Sequence, residues 1–316
     1  MKMLARCCAA LLLLLLLATG GLLAWSWAPD LPLDELKAHW ALPPSQFIEV
    51  QGMQVHLRDE GPRDDPAPLL LLHGTSSSLH TWDGWAQALA GKHRVIRLDL
   101  PGFGLTGPFP DGDYHMPQYT AFLAALLDKL QIRQVVLAGN SLGGQIAWET
   151  ALAYPQRVAR LILVDSAGFP LQSTSVPIGF RLARIPALAP VIGKILPRQM
   201  IESSVRNVYG DPDRVTPQLV DRYYELTLRA GNREALVQRF GQRDDPTLNQ
   251  ARVSRIGIPT LIIWGGRDGL IPLPHAKQYQ LAIKGSQLAV FDGLGHVPQE
   301  EDAQATAAAV AQFLGD

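Results

Sequence analysis

The chain has 316 residues, of which 47% are hydrophobic, and its 28 Lys and Arg nearly balance its 29 Asp and Glu. This length fits two domains or one large α/β domain with an insertion, and it suffices for a full hydrophobic core. The balanced charge excludes the basic surface of a nucleic-acid-binding protein and an acidic tail, so no nucleic-acid partner is expected and a small-molecule substrate is.

The N-terminus carries a long apolar segment. Residues 7–28 form an uncharged run of 22, preceded by Lys2 and Arg6, and a run of this length can cross a bilayer as a helix. Because basic residues stay in the cytoplasm, we predict that residues 1–28 anchor the protein with its catalytic part outside, on the periplasmic side of the inner membrane in a Gram-negative bacterium. The alternative is a signal sequence whose cleavage releases a secreted or periplasmic protein, although Pro29 makes the cleavage site poor.

Both cysteines, Cys7 and Cys8, lie within this apolar segment. The folded domain therefore contains no disulfide and no thiol nucleophile.

The folded domain follows the apolar segment. Residues 29–45 carry prolines and mixed charges and predict a linker that lies against the domain or the membrane surface. Residues 47–50 and 53–57 flank Gln51-Gly52 and predict a hairpin at an antiparallel edge. Short apolar runs then alternate with helical patterns; the runs are 69–72, 95–99, 135–138 and 161–164. This alternation predicts a parallel sheet with helices on both faces.

The alternation stops at Gly168. Residues 169–253 contain eight prolines, several helical patches and no strand-like run, which predicts an inserted helical lid. The sheet and its last helices then resume, over residues 259–264, 274–283, 288–291 and 302–314. We therefore predict an α/β fold with a mostly parallel eight-stranded sheet, whose core is divided between residues 46–168 and 254–316.

A serine lies between two glycines in Gly139-Asn140-Ser141-Leu142-Gly143, where an apolar run ends and a helical pattern begins. This is the pattern of a nucleophile elbow, a strained strand-to-helix turn that exposes a serine Oγ. Glycines two residues before and after the serine let the flanking elements approach without a Cβ clash. The helix also directs its free N–H groups to the same place. We predict that Ser141 is a nucleophile.

An acid and a base follow the serine in chain order. Asp268 comes after the strand predicted over 259–264, and His296 after the strand over 288–291. Because ligands bind at the carboxyl ends of parallel strands, Ser141, Asp268 and His296 are expected to meet there. His296 would accept the serine proton, and Asp268 would orient the imidazole and stabilise its protonated form.

These residues also have structural interpretations. Asp268 before Gly269 is typical of a turn, and His296 fits a loop histidine satisfied by the backbone. Asp165, at the end of the strand over 161–164, is a rival for the catalytic acid, although a carboxylate there can also tether the next loop. Four further histidines are interpreted as structural or surface residues: His73, His80, His115 and His275.

Two backbone N–H groups are needed to bind an oxyanion. Leu142, directly after the nucleophile, supplies one, and Thr75, at the end of the strand over 69–72, is the natural second. The Thr75 hydroxyl or Ser76 would add a contact. The alternative interpretation of this segment is an ordinary polar loop.

Five blocks of sequence together resemble the signature of the α/β-hydrolase fold superfamily. They are His73-Gly74-Thr75, Asp99-Leu100-Pro101-Gly102-Phe103-Gly104, Gly139-Asn140-Ser141-Leu142-Gly143-Gly144, Ile263-Trp264-Gly265-Gly266-Arg267-Asp268 and Gly295-His296. The resemblance covers about residues 47–314 apart from most of the lid, and it implies this fold without specifying a substrate.

The resemblance also bears on the reaction. An N-terminal anchor with a helical lid is similar to membrane-anchored monoacylglycerol lipases and related carboxylesterases. Gly-Asn-Ser with a following Gly-Gly resembles carbon–carbon bond hydrolases of aromatic ring cleavage as well. Haloalkane dehalogenases and epoxide hydrolases differ, because they have an aspartate at the position of Ser141.

We predict a serine hydrolase that cleaves carboxylic esters through an acyl-enzyme, with a moderately apolar ester such as a monoacylglycerol as its substrate. A carbon–carbon bond hydrolase of ring-cleavage products is the enzymatic alternative. The non-enzymatic alternative is a binding pseudohydrolase, which is disfavoured because every catalytic position is filled. No cofactor and no metal site are inferred, since Asp111-Gly112-Asp113 is too short for a metal loop.

The lid suggests a lipid surface as a partner. Residues 166–201 contain no Asp or Glu but carry four cations among apolar residues, namely Arg181, Arg184, Lys194 and Arg198. Such a segment can rest on anionic lipid and admit an acyl chain. The alternative is that its apolar residues only pack over the pocket.

Overall fold

The structure, a computed structural model, describes residues 2–242 and 245–316. Eight strands among these residues form one sheet in the order β1-β2-β4-β3-β5-β6-β7-β8. The strands are β1 Gln46–Val50, β2 Met53–Glu60, β3 Leu69–Leu72, β4 Val95–Leu98, β5 Val135–Asn140, β6 Val158–Val164, β7 Thr260–Gly265 and β8 Gln287–Phe291. The first two are antiparallel and the other six run parallel, which confirms the predicted fold class.

Helices cover both faces of the sheet. Neighbouring strand residues point to opposite faces, so an apolar strand contributes to a core on each side. Leu70 and Leu72 of β3 belong to a core on one side, whereas Leu69 and Leu71 belong to a core on the other. The first core includes α4 Met116–Lys129, α5 Leu142–Ala153 and α12 Pro274–Ala282, and the second includes α3 Asp83–Leu89 and α14 Ala303–Leu314.

The segment between β6 and β7 begins as irregular chain, and from Ile178 onward its described residues form mainly helices joined by short connections. Its helices are α6 Ile178–Ala183, α7 Ala189–Ile192, α8 Arg198–Val208, α9 Pro217–Thr227, α10 Asn232–Gly241 and α11 Asn249–Val253. The remaining helix of the core is α13 Pro298–Glu301, and short 3-10 turns occupy Leu79–Trp82, Pro155–Arg157, Pro186–Leu188, Pro212–Arg214 and Pro246–Leu248.

Two strands extend by three residues beyond their predicted bounds. The strand predicted to end at residue 57 continues to Glu60, because its charged residues still pair with β4 and Arg97 Nη2 donates to Glu60 Oε2 at 2.7 Å. The strand predicted over 161–164 begins at Val158, which pairs with Val135 before a local irregularity in the ladder.

The proline-rich segment 29–45 contains a helix that the prediction of a linker did not include. This helix, α2, spans Leu33–Trp40. Leu36 is 1% exposed and packs with Leu105 and Leu226, and Leu33 and Trp40 lie against the same cluster. The spacing of these residues gives a short amphipathic helix one apolar side, which explains why the segment docks on the domain.

The first helix, α1, spans Lys2–Ser26. Its segment Arg6–Ser26 covers 21 residues with a mean hydropathy of 2.5 and is long and apolar enough to cross a membrane; a signal sequence has the same properties. The free thiols of Cys7 and Cys8 are exposed on this helix. Trp27 and Ala28, at the end of the predicted apolar run, lie beyond the helix.

The chain that leaves α1 pairs with the lid. Ala28 N donates to Lys194 O and Leu196 N donates to Ser26 O, both at 3.0 Å. Arg233 Nη1 donates to Ala28 O at 2.8 Å, and Arg233 Nη2 donates to Asp30 Oδ1 at 2.6 Å. The apolar helix and the lid are therefore joined by backbone pairing and by a buried guanidinium.

Candidate active site

Ser141 occupies a strained turn between β5 and α5. Its backbone angles are φ 56° and ψ −114°, in a region that a residue with a side chain rarely adopts. A Cβ at Gly139 would lie 2.1 Å from Gly143 O, and a Cβ at Gly143 would lie 2.2 Å from Leu72 O. Glycine is therefore required at both positions for strand and helix to approach, while the turn presents the serine side chain at the edge of the sheet.

His296 and Asp268 form a buried pair beside this turn. His296 Nδ1 lies 2.7 Å from Asp268 Oδ2, and Asp268 Oδ1 accepts the N–H groups of Leu270 and Ile271 at 2.8 and 2.9 Å. These contacts hold the Asp268 carboxyl group in a position that orients the imidazole. Asn140 Nδ2 donates to His296 O at 2.9 Å, which ties the histidine loop to the residue before Ser141.

Ser141 and His296 line one cavity, which also borders Thr75. The described residues include no hydrogen bond between Ser141 Oγ and the His296 ring. Such a bond is often loose before substrate binds. The structure thus brings the three residues predicted for a triad to the carboxyl ends of β5, β7 and β8, with the acid and base in direct contact.

Leu142 follows Ser141 directly in the chain, and Thr75 belongs to a loop beside Ser141. The Leu142 N–H belongs to the first turn of α5 and has no acceptor within that helix. A Cβ at Gly74 would lie 3.1 Å from Ser141 Cβ, so the loop that carries Thr75 passes directly beside the serine. Two N–H groups placed this way can face an oxyanion that forms in the cavity.

His73 holds the loop that carries Thr75 in place through two hydrogen bonds. Its Nδ1 donates to Gly74 O at 2.7 Å, and its Nε2 accepts Leu100 N at 2.9 Å. This pattern requires a neutral imidazole, and complete burial lowers the pKa of His73 from 6.5. His73 therefore has the structural role that the sequence suggested. His80 and His275 are also buried, and His115 is exposed.

A second serine–histidine–aspartate chain of hydrogen bonds was not predicted. His56 Nδ1 lies 2.7 Å from Asp99 Oδ2, and His56 Nε2 lies 2.9 Å from Ser45 Oγ. Asp99 also accepts Leu79 N and Leu105 N, each at 2.7 Å. Its carboxylate therefore holds two loops together, and the only hint in the sequence is an aspartate at the end of a strand.

Glu301 connects the histidine loop to the lid, which the sequence did not reveal. Glu301 Oε1 accepts Gly295 N at 2.7 Å and Glu301 Oε2 accepts Gly210 N at 2.8 Å, while His296 N donates to Val208 O at 2.7 Å. A Cβ at Gly210 would lie 2.5 Å from Gly293 O. The backbone at the end of α8 is therefore in direct contact with the backbone of the loop that carries His296.

The lid forms one wall of the cavity at Ser141, which has a volume of about 200 Å³. Most of its lid residues have aliphatic or thioether side chains, among them Leu182, Leu188, Val191, Ile192, Ile195, Leu196, Met200, Ile201, Val205 and Val208. The lid also contributes Phe180, Ser204, Tyr223, Thr227 and Arg233 to the lining. An apolar cavity that ends at a nucleophile suits an acyl chain.

A second cavity, of about 690 Å³, also borders Ser141. It is more polar and includes Gln145 together with Arg184 and Arg239, whose guanidinium groups both contact the Phe240 ring. Ser141 therefore borders both an apolar and a more polar cavity. This arrangement suits a substrate whose scissile bond joins an apolar part to a polar part.

Comparison with known proteins assigns the family. A family model described as alpha/beta hydrolase fold matches residues 67–303. The chain belongs to the α/β-hydrolase fold family. It is 32% identical over 277 residues to a 2-hydroxymuconate semialdehyde hydrolase of Pseudomonas sp. strain CF600, covering 85% of this chain and 93% of that one. The family and such relatives make this α/β hydrolase an enzyme of the hydrolase class.

Two solved structures illustrate how far the likeness of this α/β hydrolase extends. A meta-cleavage product hydrolase of Pseudomonas fluorescens IP01 is 26% identical, with a TM-score of 0.73 over 85% of this chain and 97% of that one. A membrane phospholipase A, described as a bacterial virulence factor, is 24% identical, with a TM-score of 0.72 over 98% of both chains. The second comparison shows a shared fold alone.

Proposed function

We propose that this α/β hydrolase is a serine esterase that cleaves moderately apolar carboxylic esters, of which a monoacylglycerol is an example, through a Ser141–His296–Asp268 triad. The observation that carries the proposal is the position of Ser141: it occupies a strained elbow, borders the cavity of the paired His296 and faces an aliphatic lid wall. Each feature supplies one requirement of acyl transfer to serine.

The first half of the reaction forms an acyl-enzyme. His296 Nε2 removes the proton from Ser141 Oγ as the oxygen attacks the acyl carbon, and Asp268 stabilises the imidazolium. The N–H groups of Thr75 and Leu142 bind the oxyanion. The bond from the acyl carbon to the alcohol oxygen then breaks, and the imidazolium gives its proton to the leaving alcohol.

The second half of the reaction releases the acid. His296 removes a proton from a water molecule as the water attacks the acyl carbon of the serine ester. The second oxyanion collapses, Ser141 recovers its proton from His296, and the carboxylic acid leaves. No cofactor is needed to balance this cycle.

A chain-length series with the full protein in detergent tests this function. The 4-nitrophenyl esters of short and medium acyl chains are expected to be hydrolysed, with kcat/KM rising as the chain fills the aliphatic cavity. A fluorophosphonate probe is expected to label the wild type and not Ser141→Ala. Ser254→Ala, at an exposed position on the other side of the domain, is the matched control. Labelling of Ser141→Ala would contradict the assigned nucleophile.

A carbon–carbon bond hydrolase is the second candidate. It is favoured by the relatives named for 2-hydroxymuconate semialdehyde and meta-cleavage products and by the more polar cavity that borders Ser141. A vinylogous diketone from catechol ring cleavage separates the two candidates, since turnover of this substrate with no ester turnover would select the second. A binding pseudohydrolase would turn over neither and resist the probe.

We also propose that α1 remains uncleaved and anchors the enzyme, with its catalytic domain outside the cytoplasm. Cleavage after Ala28 would remove the carbonyl that Arg233 binds and the N–H that pairs with Lys194. Trp25 and Trp27 are exposed at the end of the helix, and Ile185 and Val191 are exposed on the lid. These side chains, with exposed Arg181 and Lys194, suit the interface of an anionic membrane.

Reconstituted vesicles test the contact between lid and membrane. Arg198 is engaged by Asp221 at 2.7 Å, so the charge reversals are placed at Arg181 and Lys194. When Arg181→Glu and Lys194→Glu are combined, the ratio of lipid-ester turnover in anionic vesicles to that in neutral vesicles is expected to fall. Arg255→Glu, an exposed change outside the lid, should leave that ratio unaltered. Equal ratios in all three proteins would mean that the lid only covers the pocket.

A further inference from the structure

Asp165 lies beside the paired Asp268 and His296. It follows the last residue of β6, is fully buried, and has a left-handed backbone φ of 43°. A carboxylate oxygen of Asp165, a carboxylate oxygen of Asp268 and a ring nitrogen of His296 all lie within 4.8 Å of one another. Two carboxyl groups are therefore enclosed at the carboxyl ends of neighbouring strands, although a triad needs only one.

The hydrogen-bond donors around the two carboxyl groups are distributed unequally. Asp268 receives three donors, from Leu270 N, Ile271 N and His296 Nδ1. Asp165 Oδ1 receives one, from Gly265 N at 3.0 Å, and Asp165 Oδ2 is buried without a donor among the described residues. A carboxylate without water needs donors on both oxygens, so Asp268 is the group equipped to carry the charge.

We propose that Asp165 is a neutral carboxylic acid at pH 7 whose Oδ2–H donates a hydrogen bond to the Asp268 carboxylate, so that the two side chains share one negative charge. This proton satisfies the oxygen that otherwise lacks a partner, and it avoids two adjacent buried charges. Asp165 is thus a positioning residue that acts through Asp268.

Electrostatics agrees with this arrangement. Burial raises the pKa of Asp165 well above 3.8, and the negative charge of Asp268 and the hydrogen bond with it raise the pKa further, with a smaller contribution from Glu301. The other titratable group within this cluster is His296, whose Nδ1 lies 2.7 Å from Asp268 Oδ2. His275 lies close enough for its own charge to be influenced by Asp268.

The shared proton affects the base. A hydrogen bond donated to Asp268 draws negative charge away from the oxygen that faces His296, which weakens the stabilisation of the imidazolium. The bond therefore moderates the attraction between Asp268 and the imidazolium that forms when His296 accepts the serine proton.

Asp165→Asn tests the protonation state, because the amide keeps one acceptor for Gly265 N and one donor for Asp268 but cannot titrate. If the folded protein keeps the Asp165 proton while the unfolded chain releases it near pH 4, wild-type stability must fall relative to Asp165→Asn as pH rises above that value. The melting temperature of the variant minus that of the wild type should therefore increase from pH 4 to pH 8. Exposed Asp64→Asn should show no such slope.

Infrared spectroscopy provides a second measurement that does not depend on any substrate. The difference spectrum of wild type minus Asp165→Asn at pH 7 should contain the C=O stretching band of a protonated carboxyl group. A carboxylate band in its place, or a flat melting-temperature difference, would overturn the proposal even if the enzyme proves to be an esterase. The proposal rests on the triad assigned above, yet both measurements remain valid if the substrate is not an ester.

Activity distinguishes positioning from a direct catalytic role. Asp165→Asn should keep kcat/KM within about threefold of wild type, whereas Asp165→Leu, which has similar size but no donor, should lose about tenfold, the effect expected for one hydrogen bond to a charged group. The pH–kcat/KM profile should change in the leucine variant alone. Loss of activity in both variants, or loss on EDTA treatment with recovery on adding a divalent cation, would contradict a neutral positioning acid.

Discussion

His296 Nδ1 and Asp268 Oδ2 lie 2.7 Å apart although 28 positions of sequence separate the two residues. The intervening chain forms α12 and β8, so the contact depends on β7 and β8 being neighbours in the sheet. The pair fixes the tautomer of the imidazole with Nε2 directed away from the acid.

Replacing Asp268 by Asn should lower kcat by about 10⁴-fold, because an amide donor selects the wrong imidazole tautomer without changing the shape of the site. The measurement is the steady-state rate on the best 4-nitrophenyl ester, with circular dichroism to verify folding. Asp64→Asn, an exposed change of the same type, should retain full activity. A variant that keeps a tenth of wild-type activity would show that Asp268 is not the orienting acid.

Gly74→Ala should slow catalysis without preventing folding. The new Cβ would lie 3.0 Å from Asn140 Oδ1 and 3.1 Å from Ser141 Cβ, so the loop must move by a few tenths of an ångström and carry the Thr75 N–H with it. We expect kcat to fall by about tenfold with little change in KM, since the displaced donor acts mainly in the transition state. Gly257→Ala, which meets no atom within 4 Å, is the control. An equal rise in KM would point to substrate binding instead.

Ile195→Trp should shorten the preferred acyl chain. Ile195 lines the aliphatic cavity from the lid, and the larger side chain of tryptophan would reduce the volume left for an acyl chain. The ratio of kcat/KM for long over short esters is expected to fall by about tenfold, a difference of one or two methylene groups in fit. Leu248→Trp, at an exposed position, should leave the ratio unchanged. An unchanged ratio in Ile195→Trp would place the acyl chain in the other cavity.

His80→Gln should reduce the loss of stability in acid. Burial lowers the pKa of His80 from 6.5 to about 4, so between these values the unfolded chain takes up a proton that the folded protein does not, and stability falls as pH decreases. Glutamine can keep the hydrogen bond to Trp40 O without titrating. The free energy of unfolding of the variant should therefore decline less from pH 6.5 to pH 4, by up to about 3 kcal/mol. An equal decline in the wild type and the variant would contradict the lowered pKa of His80.

The sheet could be predicted because its central strands are buried on both faces. The runs 69–72 and 135–138 are apolar along their whole length, and this pattern is local. The start of β6 could not be predicted in the same way, because Ala159 and Arg160 lie where the strand is only half-buried. Charged residues at strand ends depend on partners that the local sequence does not specify.

The positions of the candidate site residues were predictable, and their contacts were not. Ser141, Asp268 and His296 follow strands, and parallel strands bring such positions to one edge. The sequence also marked Asp165 as a rival of Asp268, whereas the structure brings the two carboxyl groups together. Glu301 was missed because its partners, Gly210 and Gly295, are backbone groups of distant segments. Likewise α2 was missed, since its one apolar side has meaning only against Leu105 and Leu226.

The close packing of Gly210 on the histidine loop divides the lid into two parts with different tolerance to change. A side chain at Gly210 would push on Gly293 and Gly295 and displace the loop that carries His296, so we expect a substitution there to impair the enzyme. Among the described residues from α6 to the start of α8, none is hydrogen-bonded to that loop. Homologues and engineered variants are expected to diverge in substrate preference through that stretch, while Gly210 stays a glycine.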